Sequence, residues 1–264
     1  MGTLVNYVTD KGVALLTLTD PPDNAYTHET IKELDACILE ARFDDDIHVV
    51  VLTGQGDKYF SAGASANMLK EADESFQYYF FLHAAETFLR FENTPKLVIA
   101  AINGHCLGGG LELALSCDLR VAREGAFQIG VPDIELGLSP GAGGTQRLAR
   151  LVGKARAIEL LVEAKRLSVD EALAAGIVHK VWETETNESF VRRAVDYAHE
   201  FCPPGRAAIA VGQIKRAVQS GAESSLEQGL AIERELQQRV FGTHDVREGL
   251  AAFIHKRKPT FQAR

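Results

Sequence analysis

The chain has 264 residues, 46% of them hydrophobic and 24% charged, with a formal net charge of −8 at neutral pH. That length and balance suit one sizeable globular core with at most a small appendage, and the acidic excess gives a nucleic-acid role no electrostatic support. There is no basic-then-apolar leader and no apolar run of spanning length, so the expected setting is the cytoplasm, with no membrane partner.

The first half alternates strand-like with helix-like patterns. Leu4 to Val8 and Val13 to Leu18 read as a hairpin around Asp10-Lys11-Gly12. Thr27 to Arg42 predicts a helix, because Ile31, Leu34, Ile38 and Leu39 share one face and Thr27 with Thr30 offers capping hydroxyls. Val49 to Leu52 reads as a buried strand, and Phe60-Ser61-Ala62-Gly63-Ala64-Ser65 follows the turn Gly54-Gln55-Gly56-Asp57. Glu74 to Glu92 predicts a Phe- and Leu-rich helix stopped near Pro95, and Leu97 to Ile102 the next buried strand. Asp118 to Ala122 and Ala126 to Ile129 read as short strands. From Gly143 on the pattern is helical, with helices expected over 144–151, 155–162, 169–174, 188–202, 205–220, 225–240 and 246–256. Strands first and helices later suggest a mixed α/β core with a helical C-terminal region.

The most informative stretch is Asn103-Gly104-His105-Cys106-Leu107-Gly108-Gly109-Gly110-Leu111-Glu112. Three glycines at the start of a helix let another molecule reach bare backbone. The same place offers unpaired N–H groups and the positive end of a helix dipole. That suits an anion, or an oxygen that becomes one during a reaction. Glu112 adds an acid or base beside it. The plainer alternative is a tight strand-to-helix turn with a Glu favoured by the dipole. A third Gly-rich segment, Gly130-Val131-Pro132-Asp133 through Gly143-Gly144-Thr145-Gln146-Arg147-Leu148, brings a second carboxylate.

These three segments, in this order and spacing, resemble the crotonase (enoyl-CoA hydratase/isomerase) superfamily. The resemblance runs from Pro22-Asp23-Asn24-Ala25 to Phe253-Ile254-His255-Lys256-Arg257-Lys258-Pro259. It implies a spiral of ββα units over residues 1–200, carrying an acyl-CoA site. Residues 201–264 would form a helical region that assembles trimers, often paired into hexamers. It implies hydration of a 2-enoyl-CoA thioester, with Ala64 and Gly109 N–H groups holding the thioester oxygen, Glu112 activating water and Asp133 helping to protonate C2. The family usually has Glu at the second position; Asp sets the carboxyl back by about 1.5 Å. Adenine is expected against Ala62, Ala64 and Ala66, phosphates at Lys58 and Lys256, and Phe253 packing nearby, with Gly108 and Gly141 also on the substrate side. The two lysines read equally as solubilising surface charges. Coenzyme A arrives with the substrate, and no further cofactor or metal is expected.

Competing chemistries find less in the sequence. Gly141 can be neither base nor nucleophile, which argues against the dienoyl-CoA isomerase and aryl-CoA dehalogenase branches of the resemblance. Glu112 argues against simple Δ3,Δ2-enoyl isomerases, which typically lack that carboxylate. Other enolate reactions within the superfamily, or a non-catalytic acyl-CoA-binding subunit, stay open as alternatives. No Gly-Lys-Ser/Thr follows the Gly137-to-Thr145 stretch and no G-x-S-x-G elbow exists, so neither a phosphate loop nor an α/β-hydrolase triad is expected. None of the eight His forms a metal-type pair. Cys37, Cys106, Cys117 and Cys202 lack metal spacing and read as structural thiols, with a reactive Cys106 as the alternative.

Overall fold

The computed structural model describes residues 4–264. Strands β1 (Val5–Asp10) and β2 (Val13–Leu18) form the expected antiparallel hairpin. Helix α1 (His28–Phe43) opens with a reciprocal cap between Thr27 and Thr30, as their spacing predicts. Then β3 (Val49–Gly54) leads to β4 (Tyr59–Ser61), α2 (Ala66–Glu71) and α3 (Glu74–Asn93). Strand β5 (Leu97–Ile102) leads to β6 (His105–Leu107) and α4 (Gly109–Leu115). Strand β7 (Leu119–Arg123) leads to β8 (Gln128–Gly130) and one 3₁₀ turn at Asp133–Leu136. The elements that complete this half are α5 (Gly144–Val152), α6 (Lys154–Val162), β9 (Arg166–Ser168), α7 (Val169–Ala174), β10 (Lys180–Trp182) and α8 (Asn187–His199). Helices α9 (Ala208–Ala222), α10 (Leu226–Phe241) and α11 (His244–Ile254) end the chain.

The strand order explains the architecture. One sheet runs β1-β2-β3-β5-β7-β10, the other β4-β6-β8-β9. Each turn of the chain lays one strand in the large sheet and the next in the small one. β3, β5 and β7 are therefore neighbours, and so are β4, β6 and β8, all parallel. This is the ββα spiral. The central parallel strands β3, β5 and β7 of the large sheet are buried on both faces, as parallel strands require, while the antiparallel edge strand β1 is largely open to solvent. Val50, Leu52, Val98, Ala100 and Ile102 point to the main core. Val49, Val51, Ile99, Ala101 and Val121 point to Phe190 and Ala194 of α8, with Trp182.

Six short elements lie outside the sequence expectations: α2, β6, β9, β10, the 3₁₀ turn and the start of β4. Each is three to six residues long, too short to show a period. The helix expected over 188–202 ends at His199, and that expected from 205 begins at Ala208; Pro203 and Pro204 lie in the gap.

Two buried amides lock the turns above the sheets. Asn103 accepts from the Gly54 N–H (3.1 Å) and donates to the Gly54 and Gly56 carbonyls (2.9 and 2.8 Å). Asn24 donates to the Gln55 and Tyr59 carbonyls (3.0 and 2.9 Å). Ser61 Oγ donates to the Asn24 carbonyl (2.8 Å) and accepts from the Gly63 N–H (3.1 Å). The residue 60–64 loop and the glycine run are thereby fixed against one another.

Candidate active site

A cavity of about 440 Å³ opens where these loops meet. It is lined by Ala62, Ala64 and Ala66 of one loop, Gly108 and Gly109 of the glycine run, and Pro132 and Asp133. Leu69 and Lys70 of α2, Gln77 and Phe81 of α3, and Leu136 and Leu138 complete it, with Arg166 paired to Glu135 at the rim. A larger hollow of about 530 Å³ between the 3₁₀ turn and α5–α6 is lined by groups such as Ile134, Ile158 and Val162 and holds no carboxylate. Only the first of these two is lined by carboxylates, Asp133 and Glu135.

Two N–H groups there are free. Neither the Ala64 nor the Gly109 N–H donates to any group among the described residues. Ala64 is in an isolated bridge with Tyr26 in which only its flanking residues, Gly63 and Ser65, use their backbone groups. Gly109 begins α4, so it has no carbonyl one turn back to bond. The two loops touch: a methyl on Gly63 would lie 2.6 Å from the Gly109 nitrogen, and Gly63 has φ +96°. Only glycine satisfies both conditions.

Glu112 lies in the first turn of α4, 1% exposed. Its Oε1 accepts from the Ala142 and Gly144 N–H groups (2.9 and 2.6 Å). Burial pushes its pKa up to about 7; Asp133 adds to the rise, and the two N–H bonds with Arg147 oppose it. Asp133, at the start of the 3₁₀ turn, is also held above the usual carboxylate range by burial. Its Oδ2 is buried without a partner, 3.2 Å from where a Gly108 methyl would sit. Arg147 braces the arrangement. It grips both oxygens of Glu92 (2.8 and 2.9 Å) and donates to the Ala142 carbonyl (2.8 Å), on the loop that holds Glu112. Burial thus raises both carboxyls, Glu112 and Asp133, beside the two unpaired N–H groups.

Of the sequence-predicted residues, Ala62, Ala64, Ala66, Gly108, Gly109 and Asp133 line this cavity; Glu112 is buried and is not among the lining residues. Four others do not line it. Lys58 places its ammonium over the Tyr59 ring, 5.5 Å from the centroid. Gly141 is covered by Phe81, whose ring lies 2.7 Å from where a methyl would be. Phe253, 84% exposed on α11, and Lys256 beyond it also stand outside the cavity lining. Sequence reasoning did not single out Tyr26, Lys70, Gln77, Phe81, Arg147 or Arg166. Phe81 and Gln77 sit on a helix that the pattern does predict, but no periodicity says which face meets a ligand.

The remaining candidates are structural. His105 Nδ1 accepts from the Gln128 N–H (3.0 Å), and His83 faces Asp35 at 4.0 Å. Cys106 is fully buried, and desolvation pushes its thiol well up, away from reactivity. Among the described residues no group of three or more His, Cys, Asp or Glu is placed to hold a metal ion. No helix among them is long and apolar enough to cross a membrane.

Known proteins share this arrangement of chain. The enoyl-CoA hydratase/isomerase family profile matches residues 8–264. The short-chain-enoyl-CoA hydratase of Clostridium acetobutylicum is 39% identical over 93% of this chain and 92% of its own. The crotonyl-CoA hydratase of Syntrophomonas wolfei is 34% identical over 96% and 95%. The crystal structure of the enoyl-CoA hydratase from Geobacillus kaustophilus HTA426 superposes with a TM-score of 0.95 at 38% identity, covering 100% of this chain and 98% of that one.

Proposed function

The chain belongs to the enoyl-CoA hydratase/isomerase family and has the crotonase fold, and from that premise we propose that it is a hydro-lyase, an enoyl-CoA hydratase, working through two N–H donors and two carboxylates. It adds water reversibly and syn across the C2–C3 bond of a 2-enoyl-CoA, giving a 3-hydroxyacyl-CoA. The observation that carries the site assignment is the convergence of the unpaired Ala64 and Gly109 N–H groups with Asp133 on one cavity, with Glu112 one turn along the helix that Gly109 begins and close enough to Asp133 to feel its charge.

Ionised Glu112 takes a proton from water as its oxygen bonds to C3. The C2–C3 electron pair moves toward C1, and negative charge develops on the thioester oxygen. The Ala64 and Gly109 N–H groups face that charge; losing one such donor typically costs roughly 3–4 kcal/mol of transition-state stabilisation. Protonated Asp133 gives its proton to C2. The sum is one water added, and the proton now on Glu112 passes back to Asp133 to reset the pair. The reaction moves only protons and water, so it calls for no redox partner or metal, and coenzyme A is part of the substrate.

Lys70, at the cavity wall, is better placed than Lys58 to meet the carrier's phosphates. The apolar surfaces left on the last helices, including Leu226, Phe241, Leu250, Phe253 and Ile254, favour a homo-oligomer, a trimer or hexamer, built by residues 201–264. The test is crotonyl-CoA: its enoyl-thioester absorbance should decay as 3-hydroxybutyryl-CoA appears. Tight binding of crotonyl-CoA without turnover would leave a binding subunit instead.

A further inference from the structure

Tyr26 enters none of these steps, yet it touches both sides of the site. Its peptide groups grip the loop that carries Ala64. The Tyr26 N–H donates to the Gly63 carbonyl (2.8 Å), and its carbonyl accepts from the Ser65 N–H (3.0 Å). Its side chain runs the other way, fully buried, with ring centroids 6.1 Å from Phe80 and 6.2 Å from Phe88 of α3. The phenol oxygen ends against Gly109. A methyl on the Gly109 Cα would lie 1.8 Å from that oxygen and 2.7 Å from Cζ. One residue thus reaches from the first N–H donor to the second.

Its hydroxyl is sealed from solvent and has no hydrogen-bond partner among the described residues. Such a group is destabilising, and a Phe there would pack the same ring without leaving a polar group unpaired. What the oxygen adds is length: it fills the last gap between ring and backbone. Burial, with Glu112 and Asp133 nearby, keeps it a neutral phenol.

We infer that Tyr26 is a positioning residue for oxyanion binding: its backbone fixes Ala64, its phenol tip fixes Gly109, and together they set the spacing of the two donors to one thioester oxygen. The inference rests on the reading that those two N–H groups bind that oxygen. Fixed donors matter because hydrogen bonds to a developing charge weaken steeply when misplaced.

The test compares wild type with Tyr26→Phe and Tyr26→Leu. Butyryl-CoA has no double bond to hydrate, so infrared difference spectra can read its bound thioester carbonyl. That stretch should move to lower frequency on wild type than in water. The movement should shrink in Tyr26→Phe and shrink further in Tyr26→Leu. For crotonyl-CoA, kcat should fall about 10-fold and about 100-fold respectively, with KM within about threefold, as expected for donors felt mainly in the transition state. Variants that keep the wild-type carbonyl frequency overturn the inference, whether or not kcat falls, since a loss without that signature places the effect elsewhere. A wild-type carbonyl that does not shift refutes the two-donor reading itself. Should Tyr26→Leu misfold, Tyr26→Phe decides alone, because it keeps the ring contacts with Phe80 and Phe88.

Discussion

Glu112 joins function to stability through one proton. Its pKa, pushed up to about 7 by burial, should appear as the acid limb of the kcat/KM profile for crotonyl-CoA, with activity rising through about pH 7 as the base ionises. A profile flat from pH 6 to 8 would remove Glu112 as that base. The same shift has a stability consequence. The folded value lies above the ordinary value of 4.5, so its contribution is complete below about pH 4.5 and is lost as pH rises through about 7. Ionising this carboxyl at pH 8 costs on the order of 3 kcal/mol. Glu112→Gln keeps the acceptor for the Ala142 and Gly144 N–H groups but cannot ionise. We expect kcat to drop about 10²–10⁴-fold, while the variant's melting temperature gains on wild type between pH 5 and 8. Asp133 gives a sharper contrast. Asp133→Asn cannot release the acid proton and should lose about 10²-fold or more in kcat, whereas Asp133→Glu keeps the acid and should stay within about 10-fold. Equal losses in the two would show that the carboxyl is not the proton donor.

At the scale of elements, the site is a meeting of three strand-to-helix junctions. The β4–α2 loop supplies Ala64, the β6–α4 junction supplies Gly109 and Glu112, and the loop before α5 supplies the N–H groups that hold Glu112. Arg147 ties that last loop to Glu92 of α3, both side chains being mostly buried. Removing one partner of a buried pair typically costs about 3–5 kcal/mol. Arg147→Ala should therefore lower denaturant stability by about 3 kcal/mol at the partly buried end of that range. It should also lower kcat, because the Ala142 carbonyl loses its anchor. Unchanged kcat in the folded fraction would mean that the loop holds Glu112 without the arginine. The long elements were legible in advance: α1 showed its face and its Thr27–Thr30 cap, and β3 and β5 their unbroken apolar runs. Of the three-residue strands of the small sheet only β8 was anticipated, in the strand read at 126–129; β6 and β9 were not, because they are held by partners distant in sequence.

For the whole molecule, the exposed apolar side chains of the last three helices set an expectation. Light scattering at micromolar concentration should give a trimer or hexamer, and a stable monomer would leave those surfaces unexplained. The ββα order and the donor positions Ala64 and Gly109 followed from the family resemblance; the sequence by itself determined the long apolar strands, the glycine run, the two carboxylates and the cap of α1. These are local facts: glycine where backbone must approach, an apolar run where a strand is buried on both faces, a cap where a helix starts. Only the tertiary structure decided which side chains share a cavity. It put Lys70, Gln77 and Phe81 in the cavity lining, left Lys58, Gly141, Phe253 and Lys256 out of that lining, and set the Tyr26 phenol against Gly109, 83 positions away in number order. The reason is physical. A side chain's partners across a spiral of parallel strands depend on register, helix rotation and loop path, and no short-range pattern of residue types encodes those three together.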